Sequence, residues 1–165
     1  LSLRITLFRP RHLPRLLALE REVFPADAYP RELFLELHAG CGALFFVAHA
    51  EGSVAGYIVT CASRRKAELV SIAVDPRYRG RGIGGALVER TIAKLRAAGV
   101  RRLELAVRVG NRDAIAFYRR RGFERLERLP AYYENGGDAY RMRLSLGDLH
   151  EPARPANAHD RRARK

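Results

Sequence analysis

A chain of 165 residues, 47% hydrophobic and 30% charged, is the size and composition of one soluble globular domain and not of a disordered segment. It holds 31 basic and 18 acidic residues, a net charge of +13, which favours phosphate-bearing partners: a nucleotide cofactor, RNA or an anionic membrane. No apolar run reaches the roughly 18 residues of a membrane span, and two cysteines are too few for a disulfide framework or a zinc site.

Residues 3–9 alternate polar and apolar and predict a strand, and Leu1–Pro10 does not read as a signal peptide. Pro10 and Pro14 open a helix whose Leu13, Leu16, Leu17, Leu19 and Val23 recur at helical spacing, and Pro25 ends it. A second helix spans Pro30 to Ala39 and breaks at Gly40 and Gly42. Residues 43–50 and 54–62 predict a hairpin turning at Glu51-Gly52-Ser53, and 67–75 predict a central strand stopped by Pro76. A glycine-rich segment, 79–85, leads into a long helix ending near Ala98, with Gly99 as its cap. Then come a strand over 102–109, a helix over 112–121, and strands over 123–133 and 138–146 joined through Asn135-Gly136-Gly137. Cys41 and Cys61 lie in apolar surroundings and read as buried small hydrophobes in a reduced, cytoplasmic protein. The five histidines show no ligand spacing, so no metal is expected. The expected organisation is one domain over 1–146 and a basic, disordered tail over 147–165.

The segment Asp75-Pro76-Arg77-Tyr78-Arg79-Gly80-Arg81-Gly82-Ile83-Gly84-Gly85 carries the strongest chemical signal. A strand ends, a basic glycine-rich turn follows and a helix begins. Helix starts leave unpaired N–H groups with partial positive charge, and glycine lets a phosphate approach the backbone. The dinucleotide fingerprint nearly fits residues 80–85, but three strands precede it and Glu104 fits its acidic position poorly. A Walker A loop needs Gly-Lys-Ser/Thr, which is absent. Arg79, Gly82 and Gly84 match the Arg/Gln-x-x-Gly-x-Gly loop that binds coenzyme A pyrophosphate.

Four stretches, one of them running into this glycine loop, resemble the GNAT acetyltransferases over about residues 3–146. The stretches are Glu22–Pro25 with Pro30–Phe34, Ile72–Pro76, Val107–Asn111 with Ala114–Tyr118 and Arg121–Phe123, and Tyr132–Tyr140. The resemblance is to the ribosomal-protein-alanine (RimI-type) N-terminal acetyltransferases within that family. It implies an α/β, three-layer GNAT fold: a mixed, mostly antiparallel sheet of about seven strands with a splayed parallel pair and helices on both faces. It implies acetyl-CoA as cofactor and a primary amine as acceptor, foremost a protein or peptide N-terminal α-amine, attacked directly in a ternary complex.

The resemblance also implies site residues. Backbone at Ile72, Ala73 and Val74 orients the acetyl and pantetheine arm, and the loop Arg79, Gly80, Arg81, Gly82, Ile83 and Gly84 holds the pyrophosphate. Asn111 contacts the pantetheine arm, and Tyr118 contacts the cofactor and is the candidate general acid, since a phenol near pKa ~10 can protonate a departing thiolate. The ribosomal-protein branch carries its base five positions before the Asn, where this chain has Ala106. Two carboxylates are the candidates for that role. Glu104 shares a strand face with Ala106. Glu68 shares a face with Val70 and Ile72, where burial raises a carboxyl pKa, and matches the base position of the histone acetyltransferase branch. Relayed water is the third option. Tyr132, Tyr133 and Tyr29 are candidate walls of the acceptor groove. Arg112 and Arg119–Arg121 are candidates for the nucleotide's remaining phosphate.

The expected partners are acetyl-CoA and a peptide N-terminus, a ribosomal protein among the candidates, for a monomer or weak dimer needing neither membrane nor specific nucleic acid. Two alternatives stay open. One is the same fold acting on a small-molecule amine or a lysine side chain. The other is a non-enzymatic module that binds RNA or the ribosome through its basic surface, although 28 of the 31 basic residues are arginine, which gene base composition also explains.

Overall fold

In the computed structural model, which describes residues 2–147, the elements run β1 (Leu3–Leu7), α1 (Leu13–Val23), α2 (Arg31–Cys41), β2 (Phe45–Ala50), β3 (Ser53–Ser63), β4 (Lys66–Val74), α3 (Ile83–Ala97), β5 (Arg102–Arg108), α4 (Arg112–Arg120), β6 (Glu124–Leu129) and β7 (Ala139–Ser145). The seven strands form one mixed sheet in the order β1-β2-β3-β4-β5-β7-β6. Two compact units result: residues up to Ala62 with Leu69–Leu95, and Ser63–Glu68 with the residues from Arg96 onward. Apart from Gly147, the tail expected to be disordered lies outside the described residues.

The first unit is built on β1 and β2, paired antiparallel from Leu3–Ala50 to Leu7–Phe46, and on the β2–β3 hairpin. Its turn is two residues long: Glu51 and Gly52 both have positive φ, 52° and 79°, the pattern whose twist suits a tight hairpin. Leu13, Leu16 and Leu19 of α1 and Phe34 of α2 are buried with Phe8, Phe45, Val47, Tyr57 and Val59. Each such side chain contributes about 2 kcal/mol by leaving water. Phe8 stacks on Phe45 with centroids 4.2 Å apart, and Phe34 meets Tyr57 edge-on at 5.5 Å.

The expected break at Gly40 is absent, since α2 continues to Cys41 and a 3-10 turn over Gly42–Leu44 ends it. A helix-interior glycine costs only about 1 kcal/mol, less than the burial of Phe34 supplies. The cysteines also depart from expectation: Cys41 and Cys61 are only partly buried and form a disulfide with Cα atoms 5.2 Å apart. Helix α2 and strand β3 bring together two residues that are 20 positions apart in sequence, a proximity that composition does not encode.

In the second unit β5 pairs antiparallel with β7 from Arg102–Ser145 to Arg108–Ala139, and β6 pairs with β7 on its other edge. The start of β4 pairs parallel with β5 over three positions, Lys66–Arg102 to Glu68–Glu104. Leu103, Leu105, Val107, Tyr118, Phe123 and Met142 are buried. The last two strands are shorter than their sequence suggests, because residues 130–138 leave the ladder. Pro130 has no N–H to give, and Ala131 has φ 49° and donates its N–H to Asp138 Oδ1 at 2.9 Å. Asn135 Oδ1 accepts the Gly137 N–H at 3.0 Å, so side chains take the place of strand partners.

Candidate functional site

In the first unit the glycine turn has the geometry an anion needs. Gly80 and Gly82 sit at φ 77° and 80°, a region that side chains resist. α3 starts at Ile83 with no acidic residue in its first turn, and the Ala86 N–H is bonded to the Gly82 carbonyl. The N–H groups of Ile83, Gly84 and Gly85 precede that bond and have no intrahelical acceptor. A Cβ at Gly80 or Gly82 would meet nothing within 4 Å, so these glycines are required by backbone conformation and the space above them is open.

The three arginines of this turn differ in availability. Arg77 is tied to Asp75, with Nη2 donating to Oδ2 at 2.8 Å, and Arg15 pairs with the same carboxylate. Asp75 is fully buried and caps the turn through the Arg77 N–H at 2.9 Å. The Arg77 hydrogen bond holds its carboxyl below the usual carboxylate range, against the opposing effect of burial. Arg81 leans on Glu51 at 3.4 Å and lies over the Tyr78 ring at 5.4 Å. Among the described residues only Arg79 of the three has no carboxylate within 4 Å. Asp75 and Arg15 therefore brace the loop, which sequence inspection did not reveal because Arg15 lies 60 residues away.

Ile72, Ala73 and Val74 close β4 just before this loop. Gly56 on β3 sits against them: a Cβ there would lie 2.7 Å from the Ala73 carbonyl oxygen. A buried polar network flanks the same strand. Glu20 of α1, 1% exposed, accepts the Tyr57 hydroxyl and the Tyr29 N–H, and the Tyr57 oxygen lies 2.8 Å from Ser71 Oγ. Burial raises the Glu20 carboxyl, with the two hydrogen bonds opposing. Tyr29 also donates its hydroxyl to the Val70 carbonyl at 3.3 Å. This candidate groove residue thus fastens the α1–α2 loop to β4. The sequence hinted at Glu20 only as a carboxylate among the apolar positions of α1.

The second unit holds Glu68, Glu104, Asn111, Tyr118, Tyr132 and Tyr133. Tyr118 is 6% exposed, with its ring edge-on to Phe117 and Phe123 at 5.3 and 5.4 Å. Burial, with a smaller effect of Tyr133, pushes its phenol well above the ordinary value, so it is protonated at neutral pH. Asn111 caps α4, its Oδ1 accepting the Ala114 N–H at 3.2 Å. Asn111 also lines an open cleft of about 470 Å³ with Arg108, Gly110, Arg128 and Asp138. Tyr132 is 49% exposed and edge-on to Tyr133 at 5.0 Å, and the Arg108 guanidinium covers the Tyr133 ring at 4.0 Å. Arg121 is occupied, its guanidinium 3.7 Å over the Phe117 ring, whereas Arg112, Arg119 and Arg120 line a separate cleft with Arg125 and Tyr140.

The two candidate bases sit side by side in register, yet their environments differ. Glu104 is 3% exposed and ion-paired with Lys66 at 3.0 Å and Arg143 at 3.7 Å. Burial raises its carboxyl, but the Lys66 contact and the arginines of β7 outweigh this and leave it lowered, a poor proton acceptor. Glu68 is more open, its side chain 36% exposed, and meets Arg141 at 3.3 Å. Burial raises its carboxyl against the pull of Arg141 and Lys66, which makes it a better proton acceptor than Glu104.

Residues 13–123 match the acetyltransferase (GNAT) family profile. An N-alpha-acetyltransferase of Sulfurisphaera tokodaii is 33% identical over 156 residues, 87% of this chain and 93% of its own length. The crystal structure of Ard1 from Thermoplasma volcanium superposes with a TM-score of 0.86 at 31% identity, covering 90% of this chain and all of that one. The ribosomal-protein-S18-alanine N-acetyltransferase of Escherichia coli gives a TM-score of 0.78 at 29% identity over 93% and 99% of the two chains.

Proposed function

The chain belongs to the GNAT acetyltransferase family, and we propose that it moves the acetyl group of acetyl-CoA onto the α-amine of a protein or peptide N-terminus. The observation that carries this reading is the turn at Gly80–Gly84. It offers two left-handed glycines, open space, α3 N–H groups and the free Arg79 to a pyrophosphate. Acetyl-CoA supplies an activated thioester. In the first unit Ile72–Val74 align the acyl arm beside β4; in the second, Asn111 offers the amide group not used in capping and Glu68 takes a proton from the amine. Tyr118, protonated at working pH, delivers a proton to the departing thiolate. Tyr132 and Tyr133 border the acceptor.

Transfer is direct. The sulfurs of Cys41 and Cys61 are bonded to each other, so neither serves as an acyl carrier. The N-terminal acceptor is supported by the names of the relatives: an N-alpha-acetyltransferase, and an enzyme of a ribosomal-protein alanine terminus. Among the described residues no helix is long and apolar enough to cross a membrane. We propose a single catalytic domain over 1–146, a monomer or weak dimer, with a ribosomal protein among its acceptors; the Cys41–Cys61 disulfide removes the reduced-cysteine ground for a cytoplasmic location. The test is thiol release from acetyl-CoA with a panel of free and N-terminally blocked peptides. Turnover with free but not blocked termini is expected. Bound acetyl-CoA with no turnover on any amine would overturn the reading, and turnover on blocked peptides containing lysine would redirect it to side chains.

A further inference from the structure

The charged face around Glu68 in the second unit has an arrangement that sequence did not anticipate. Arg141 lies on β7, in register with Ala106 of β5. Glu68 lies on β4, in register with Glu104 of the same β5. Strand β5 sits between the other two, and neighbouring strands are about 4.8 Å apart, so β7 and β4 are separated by about 10 Å. Arg141 nevertheless reaches Glu68, Nη1 donating to Oε2 at 3.3 Å. Alanine at 106 leaves the surface of β5 low enough for the long arginine to cross. The same guanidinium lies 3.9 Å from Glu127 of β6 through its Nε. It is thus held from one side and bonded to Glu68 on the other.

We propose that Arg141 is a positioning residue, crossing β5 over Ala106 to hold the Glu68 carboxylate where it meets the incoming amine. This rests on Glu68 as the base of the proposed acetyl transfer. A carboxylate that is 36% exposed on an open strand has several rotamers. One charge-assisted hydrogen bond selects among them and leaves the second oxygen for the proton. The other charges around Glu68 are Lys66 on β4, Glu104 on β5, Arg143 on β7 and Glu127 on β6. Lys66 and Arg143 are ion-paired with Glu104; Lys66 also acts on Glu68 through space, and Arg141 is the cation hydrogen-bonded to it.

The experiment follows peptide acetylation by the full chain at saturating acetyl-CoA from roughly pH 5 to 10, in wild type, Arg141→Ala, Arg141→Lys and Glu68→Gln. The substrate amine adds the same acid limb to every variant, so any difference belongs to the enzyme. Removing Arg141 removes a charge that favours ionised Glu68. The acid limb of kcat then moves about one pH unit upward and kcat falls about tenfold, with the KM for acetyl-CoA held within about twofold. Arg141→Lys recovers most of the limb position. A wild-type limb and kcat in Arg141→Ala, beside a large loss in Glu68→Gln, would overturn the role of Arg141 and leave the base standing. Wild-type behaviour of Glu68→Gln would overturn the base and this inference with it. If circular dichroism shows the alanine variant unfolded, Arg141→Gln decides: a moved limb supports the proposal and an unmoved one overturns it.

Discussion

Tyr118 and Asp75 are both buried, but their environments drive their protons in opposite directions. The Tyr118 phenol is surrounded by Phe117 and Phe123 and stays protonated, which is what a donor to a thiolate requires. Its replacement by phenylalanine keeps the ring contacts and removes the proton. Tyr118→Phe should lower kcat about 100-fold while changing acetyl-CoA affinity far less, read by thiol release and by equilibrium binding. Asp75, braced by Arg77 and Arg15, is held ionised. Its folded value lies below the unfolded value of about 3.9, so its stabilisation is complete above that pH and is lost as pH falls through the folded value. Asp75→Asn should cost about 2 kcal/mol at neutral pH and flatten the decline in stability below about pH 4, both read from urea unfolding across pH.

The strength of an element's sequence signal follows from how local its cause is. Helices α1, α3 and α4 and the β2–β3 hairpin were legible because periodicity, capping residues and Glu51-Gly52 act within a few positions. The glycine loop was legible for the same reason. The disulfide, the Arg15–Asp75 brace, the Glu20–Tyr57–Ser71 network and the Arg141–Glu68 bridge join residues 14 to 73 positions apart. Only the packing of helices on strands, and for Arg141 the strand order, brings those partners together. Gly56 belongs with them, since an isolated strand glycine in sequence gives no sign of what it faces. Its missing Cβ is where the Ala73 carbonyl sits, 2.7 Å away, and a backbone atom cannot rotate aside. Gly56→Ala should therefore push β4 off β3 at Ala73, cost about 1–3 kcal/mol in thermal or urea unfolding, and raise the KM for acetyl-CoA more than that for peptide.

Residues 147–165 hold five basic and three acidic residues, so most of the +13 lies in the part of the chain that carries the site. Several arginines pair with carboxylates, Arg15 and Arg77 with Asp75, Arg81 with Glu51, Arg141 with Glu68 and Arg128 with Asp138, so the surplus rests on the other basic residues. Phosphate binding at the loop then depends on short-range geometry and on Arg79, which solution salt screens weakly. Arg112, Arg119 and Arg120, with no carboxylate within 4 Å among the described residues, line a cleft of their own and act at a distance on whatever approaches. An acceptor peptide with acidic residues after its first position should therefore be drawn in, and a basic one repelled. At low ionic strength kcat/KM for the acidic peptide should exceed that for a basic peptide of equal length and the same first residue by about tenfold or more. Near 0.3 M salt the Debye length is only about 6 Å, and the ratio should shrink towards the preference set by contacts at the first residue. The KM for acetyl-CoA should move much less over the same range. Equal peptide rates at every salt concentration would show that the arginine surplus does not act on the acceptor, and that it reflects base composition in the gene.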